Sequence, residues 1–169
     1  MFFRDAISSD ASSLAAISME VWIGTYLRNG VNAFFADYAL SEFTAVKFEA
    51  IIADDDEHII VSENEDGIDG FIRLSFDSAA PVPGCSATEV KTLYVQPRHH
   101  GKGIGKGLLN EGLGRCAELG IDSVWLTVNS GNTSALAFYS ALDFETIGQT
   151  HFRIADQAYL NEVLQRQIA

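Results

Sequence analysis

Glycine stands at positions 101, 103, 105 and 107, between a strand-like run that ends at Pro97 and a helical run that begins at Ile104. No other feature constrains the fold as much. A strand passing through a glycine-rich turn into a helix brings free backbone amides and the positive end of a helix dipole to one place, which makes a natural anion site. Glycine there permits positive φ and close approach of the backbone to a ligand. Arg98, Lys102 and Lys106 add charge around the same turn, in a chain with 11 basic residues against 23 acidic ones. The segment Arg98, His99, His100, Gly101, Lys102, Gly103, Ile104, Gly105 and Lys106 therefore reads as a pyrophosphate cradle.

Two common phosphate patterns fail on these residues. A P-loop needs Gly, four residues, then Gly-Lys-Ser/Thr. Gly105-Lys106 is followed by Gly107, and His100 stands where the first glycine belongs. The dinucleotide pattern Gly-x-Gly-x-x-Gly, tried from Gly101, Gly103 and Gly105, meets Lys106, Leu108 and Asn110.

The 169 residues suffice for one domain with its own core. Residues 2–7 read as a strand. Ser9 or Asp10 caps a helix carrying Leu14, Ile17, Val21 and Trp22 at helical spacing. Residues 31–53 read as helical with a break near Ser41. Strands are expected at 58–62, 71–76, 88–95, 124–128 and 144–154, and helices at 104–119 and 134–142. Leu160, Leu164 and Ile168 leave the tail open to either state. This order predicts a mixed α/β domain over residues 1–169.

Arg98-x-x-Gly101-x-Gly103 after a strand, with Asn132-x-x-Ala135-x-x-Phe138-Tyr139 on the next helix but one and Phe144 beyond it, resembles the GNAT acetyltransferase superfamily. The resemblance implies a single GNAT-type domain: a central, twisted, mostly antiparallel sheet of about six to seven strands flanked by helices. It places acetyl-CoA in the splay between the two central strands, held by the cradle with Leu93, Tyr94, Val95, Asn129, Asn132, Ala135, Phe138 and Tyr139. Asp143 replaces the glycine usual in the family, at a position that should be a left-handed helix cap.

The chemistry then needs a proton acceptor and a proton donor. An alkylamine with a pKa near 10 arrives protonated at neutral pH, and a positioned carboxylate removes the proton. Glu89, on the strand before the cradle, has the spacing of the family's strand glutamate. Lys91 shares its face by alternation and offers a surface ion pair instead. By resemblance, Tyr139 protonates the departing thiolate; a core aromatic on an amphipathic helix is the alternative.

A narrower resemblance, to bacterial spermine/spermidine acetyltransferases, rests on Trp22-Ile23-Gly24-Thr25-Tyr26, His151-Phe152 and Asp156-Gln157. It implies a small-molecule primary amine acceptor, a polyamine or small diamine. Trp22 and Tyr26 would wall the acceptor site, with Phe34 and Phe35 beside them or in the core, since aromatic faces attract ammonium groups. A formal charge of −12 suits a cationic substrate, and serves solubility equally. Acetylation of a protein N-terminus or lysine, and a silent acetyl-CoA-binding domain, are the competing readings. Homodimers are common in the family, but no interface is legible.

Several classes are excluded or disfavoured. The acidic surface repels nucleic-acid backbones. No apolar run reaches the roughly 20 residues of a membrane helix, and no signal peptide is evident. His58, His99, His100 and His151 lack metal spacing, so no metal is expected. Cys85 and Cys116 have no metal or redox spacing and no base partner, and no Gly-x-Ser-x-Gly elbow exists. They read as free thiols in a reducing cytoplasm, with Cys116 buried.

Overall fold

The computed structural model describes residues 1–168. The chain runs from β1 (Phe2–Asp5) through a short 3-10 turn to α1 (Ala11–Tyr26), α2 (Ala33–Glu42) and α3 (Ala45–Ala53). Then come β2 (Glu57–Asn64), β3 (Gly67–Ser75) and β4 (Glu89–Val95). A second 3-10 turn leads to α4 (Ile104–Glu118), β5 (Ser123–Asn129), α5 (Thr133–Ser140), β6 (Glu145–Ile154) and β7 (Gln157–Gln167). The strands form one seven-stranded sheet in the order β1-β2-β3-β4-β5-β7-β6. β4 and β5 pair in parallel, whereas β1–β2, β5–β7 and β6–β7 are antiparallel.

The open tail resolves as β7. Its leucines recur at a spacing that suits a helix, but β5 and β6 supply partners on both edges: Leu164 pairs with Leu126 on one side and Thr146 on the other. The helical break falls two residues after Ser41, because Thr44 starts a new helix by accepting from Lys47 N–H at 3.3 Å. Asp10 caps nothing ahead of it. Its carboxylate reaches back to Ile7 N–H at 2.9 Å and to Arg4 at 2.7 and 3.1 Å. The Arg4 guanidinium thereby holds the Asp10 carboxyl below its usual range.

Contacts divide the chain into two compact units, Met1–Leu74 with Thr92–Gly112, and Ser75–Lys91 with the chain from Leu113 on; β4 and α4 run through both. In the first, Leu14, Ile17, Phe48, Ile59, Val61 and Phe71 make the core. Residues 71 to 76 alternate apolar and polar side chains, as a half-buried strand does, but β3 is buried on both faces. Phe71 meets Phe48 edge-on at 6.0 Å on one face, and Ile72 packs so close to Gly112 of α4 that a Cβ there would lie 2.8 Å away. In the second unit, Val124, Leu126, Val163 and Leu164 are sealed in the sheet. The β3–β4 loop lies over that sheet. Val82 sits on Gly148, where a Cβ would come within 2.7 Å, and Trp125 Nε1 donates to Ser78 O at 3.1 Å.

α4 and α5 end in the same way. Ile121 N–H reaches Cys116 O at 2.9 Å around Gly120, whose φ is 74°. Phe144 N–H reaches Tyr139 O at 3.1 Å, and Asp143 N–H reaches Ser140 O at 3.3 Å. The Phe144 ring packs on Tyr139 at 5.3 Å, which completes a Schellman motif. Asp143 has φ 66°, the left-handed conformation expected from its place in the motif. That conformation strains a residue with a Cβ. Asp143→Gly is therefore expected to add about 0.5 kcal/mol of stability after glycine's own entropic cost. The check is a thermal midpoint; a lower one would mean that the Asp143 side chain offsets the strain.

Candidate active site

The cradle is built entirely within the first unit. At the end of β4, Gln96 N–H donates to Asp69 O at 2.9 Å, so the chain leaves the sheet pinned to β3. Pro97 then opens the 3-10 turn Pro97–His99. His100 Nε2 lies 3.0 Å from Val95 O; a carbonyl only accepts, so Nε2 carries the proton. Lys102 Nζ donates to His99 Nδ1 at 3.0 Å. Both histidines thus brace the loop.

Gly101 and Gly103 have φ of 79° and 83°, and no heavy atom lies within 4 Å of where a Cβ would stand on either. Their conformation needs glycine, and the space beside them is open. Gly103 O accepts the first helical bond of α4, from Gly107 N–H at 2.9 Å. The amides of Ile104, Gly105 and Lys106 consequently have no acceptor inside the helix. Those amides, the helix dipole and the exposed Arg98, Lys102 and Lys106 fit a diphosphate.

Not every glycine of the run serves a ligand. Gly105 and Gly107 are helical, and a Cβ on Gly107 would run into the ring of Phe3. Gly107 lets α4 pack on β1. Gly70 does the same on β3, where a Cβ would lie 2.9 Å from Tyr94 O and 3.1 Å from Leu108 Cδ1. Together they set how deeply the cradle helix seats. Along β4, the Tyr94 ring meets Phe71 at 5.8 Å in the core of its unit, so alternation turns Leu93 and Val95 to the opposite face.

The second unit holds Glu89 and Tyr139. Glu89 lies opposite Trp125 in the β4–β5 pair. Ser78 Oγ donates to Glu89 Oε2 at 2.7 Å, while the Ser78 carbonyl receives the Trp125 indole. One carboxylate oxygen is thus fixed and the other left over. Lys91 is exposed and makes no ion pair with Glu89 among the described residues.

Asn132 caps α5, its Oδ1 accepting from Ala135 N–H at 3.1 Å. Asn129 Oδ1 accepts from Gly131 N–H at 2.9 Å. Both side-chain carbonyls therefore shape the turn that starts the helix. Phe138 meets Tyr139 edge-on at 5.1 Å. Tyr139 keeps part of its surface, but crowding around its hydroxyl pushes the pKa well above tyrosine's ordinary value. The hydroxyl stays protonated across the neutral and mildly alkaline range, as a proton donor must.

Trp22 lies elsewhere than a substrate wall would put it. It is 4% exposed, at the centre of a cluster with Tyr26 at 4.7 Å, Tyr38 at 5.1 Å, Phe35 at 5.7 Å and Phe43 at 6.2 Å. α2 and the residue after it cover its ring. Tyr26, Phe34 and Phe35 remain partly exposed. Burial, then Glu42 and Tyr26, push the Tyr38 hydroxyl up to about 12.

Cys116 is fully buried, as expected, and burial pushes its thiol up to about 11; that of Cys85 is raised for the same reason. Neither offers a thiolate nucleophile at neutral pH. Among the described residues, no group of histidine, cysteine or carboxylate side chains is arranged to hold a metal, and no helix is long and apolar enough to cross a membrane.

The pattern of the acetyltransferase (GNAT) family matches residues 24–144. An uncharacterised N-acetyltransferase of Mycobacterium tuberculosis is 24% identical over 160 residues, 95% of this chain and 99% of its own. A mycothiol acetyltransferase of Kocuria rhizophila is 29% identical over 93 residues, which is 54% of this chain and 31% of that one. PaiA N-acetyltransferase from Thermoplasma acidophilum, solved in complex with coenzyme A, has the same fold, with a TM-score of 0.79 at 19% identity over 98% of both chains. A phosphinothricin acetyltransferase from Sinorhizobium meliloti, solved with AcCoA, gives a TM-score of 0.66 at 26% identity, over 98% of this chain and 87% of that one. With the family match spanning both the cradle and the Asn132–Tyr139 motif, the chain belongs to the GNAT acetyltransferase family and is an acetyl-CoA-dependent N-acetyltransferase.

Proposed function

We propose that the acceptor is a primary amine of the polyamine or small diamine class, acetylated by direct attack with Glu89 as general base and Tyr139 as general acid. The observation that carries the chemical part is the fixed carboxylate: Ser78 holds one oxygen of Glu89 at 2.7 Å, and the other has no partner among the described residues. The acceptor class is supported by the formal charge of −12 and by the narrower sequence resemblance. The mycothiol acetyltransferases match only part of their own length, so their acceptor does not transfer to this chain.

Acetyl-CoA, when bound, supplies an acetyl group already activated as a thioester. In this reading the Gly101–Lys106 amides and the charges of Arg98, Lys102 and Lys106 hold the diphosphate. Backbone groups at Leu93 and Val95 line up the pantetheine arm, and an N–H there polarises the thioester carbonyl. Glu89 takes the proton that the incoming ammonium must lose. Tyr139, protonated at working pH, donates to the leaving sulfur. Tyr26 offers an aromatic face to the cation. The raised thiol pKa values of Cys85 and Cys116 favour direct attack over an acyl-cysteine.

The test is thiol release from acetyl-CoA across a panel of polyamines, diamines, amino acids, aminoglycosides and short peptides. Turnover is expected with spermidine or a diamine. Silence toward every polyamine and diamine, alongside good turnover of peptide N-termini, would overturn the acceptor class and leave the fold and family standing.

A further inference from the structure

Trp125 reaches Glu89 from two directions. It is 4% exposed and stands opposite Glu89 where β5 pairs with β4. Its backbone N–H donates to Thr88 O at 3.0 Å, which fixes the chain one residue before Glu89. Its indole Nε1 donates to Ser78 O at 3.1 Å, and Ser78 Oγ donates to Glu89 Oε2 at 2.7 Å. All four residues belong to the second unit.

Ser78 lies in the β3–β4 loop, outside every helix and strand. A loop residue can hold a carboxylate in one place only if its own backbone is tied down. Ser78 N–H donates to Ala87 O at 2.8 Å, across the neck of the loop. That bond joins two parts of the same loop; the indole bond is the one that fastens the Ser78 backbone to the sheet. Indole has a single donor and no acceptor. Spent on Ser78, that donor is withheld from the carboxylate opposite, and the second oxygen of Glu89 keeps no partner among the described residues.

We propose that Trp125 is a positioning residue for the acetyl transfer: acting through Ser78, it sets where the Glu89 carboxylate stands and leaves one carboxylate oxygen to the incoming amine. The role rests on Glu89 as the base, as proposed above. Misplacement of a reacting group by about 1 Å can cost about 100-fold in rate. Loss of one link in a chain that keeps its other ties is expected to cost about tenfold. A tryptophan that only fills the core would affect stability without acting through the carboxylate.

The experiment measures kcat, KM and thermal midpoints for Ser78→Ala, Ser78→Thr and Trp125→Phe, each in the wild-type and the Glu89→Gln background, and for Ser78→Ala combined with Trp125→Phe. Rates are taken well below the lowest midpoint, because Trp125→Phe vacates core volume and lowers its own; Trp125→Tyr, closer in volume, replaces it if the phenyl variant does not fold. Ser78→Ala and Trp125→Phe are each expected to lower kcat about tenfold at neutral pH, with the KM for acetyl-CoA within about twofold. Ser78→Thr keeps the hydroxyl and recovers most of kcat. Both losses shrink toward pH 10, where the amine sheds its own proton. In the Glu89→Gln background each costs less than about twofold more, and Trp125→Phe adds little to Ser78→Ala, because residues that act as one unit are not additive. An unchanged kcat in Trp125→Phe, or the same loss with and without the carboxylate, would overturn the proposal and return Trp125 to core packing. If Glu89→Gln keeps the wild-type rate, the base reading has failed and this role falls with it. If Glu89→Gln is impaired and Trp125→Phe multiplies that loss, only the positioning role fails.

Discussion

Tyr139→Phe is expected to lower kcat by about two to three orders of magnitude, within the range for loss of a positioned general acid. The replacement keeps the ring, and with it the edge-on contacts to Phe138 at 5.1 Å and Phe144 at 5.3 Å. Only the hydroxyl is lost. Among the described residues nothing hydrogen-bonds that hydroxyl, so its removal orphans no partner and the thermal midpoint should barely move. The KM for acetyl-CoA should hold as well. Because crowding raises the hydroxyl's pKa, the wild-type kcat profile should show no loss from Tyr139 ionisation below about pH 10, tyrosine's ordinary pKa. Single-turnover and steady-state rates with the best amine decide the matter. A Phe variant with near-normal kcat would return Tyr139 to the role of a packing aromatic.

Glu89→Gln is the second large effect. The amide preserves the size of the side chain, and its oxygen can still accept from Ser78. It cannot take a proton. At neutral pH the rate should fall about 100-fold or more. The deficit should then shrink as pH rises, since an amine with a pKa near 10 sheds its own proton with each step toward that value. A pH–rate profile of kcat/KM thus separates two roles. A variant whose activity climbs steeply toward pH 10 has lost a base. One depressed equally at every pH has lost a structural contact to the β3–β4 loop, and the base must be sought elsewhere.

Much of the cradle was legible in the sequence because its physics is local. A strand end, a proline, glycines at positive φ and a helix start are specified by adjacent residues, and the left-handed state of Asp143 follows from the end of α5 alone. Less legible were features that depend on partners remote in the chain. The leucine spacing of the tail suits a helix, and only the presence of β5 and β6 makes it a strand. Trp22 reads as a wall of the acceptor site until Phe35, Tyr38 and Phe43 close over it. Gly70 gave no signal, since its lack of a side chain matters only where Leu108 and Ile104 of α4 descend on it. Ser78 lies in a loop without periodicity, yet it is the residue that holds Glu89.

The turn at Asp143 bears on more than stability. The carbonyl of Tyr139 receives the amides of both Leu142 and Phe144, at 3.0 and 3.1 Å, so the backbone of this residue is gripped by the turn that a left-handed aspartate closes. Helix ends under strain open at lower free energy than the sheets they flank. In deuterated solvent, the Leu142 and Phe144 amides will exchange long before those of Val124 to Val128. Each opening releases Tyr139 while the rest of the protein stays folded. With Tyr139 as the proton donor proposed above, turnover is expected to peak at a temperature below that at which the sheet melts, so that one helix end would set the thermal ceiling of activity.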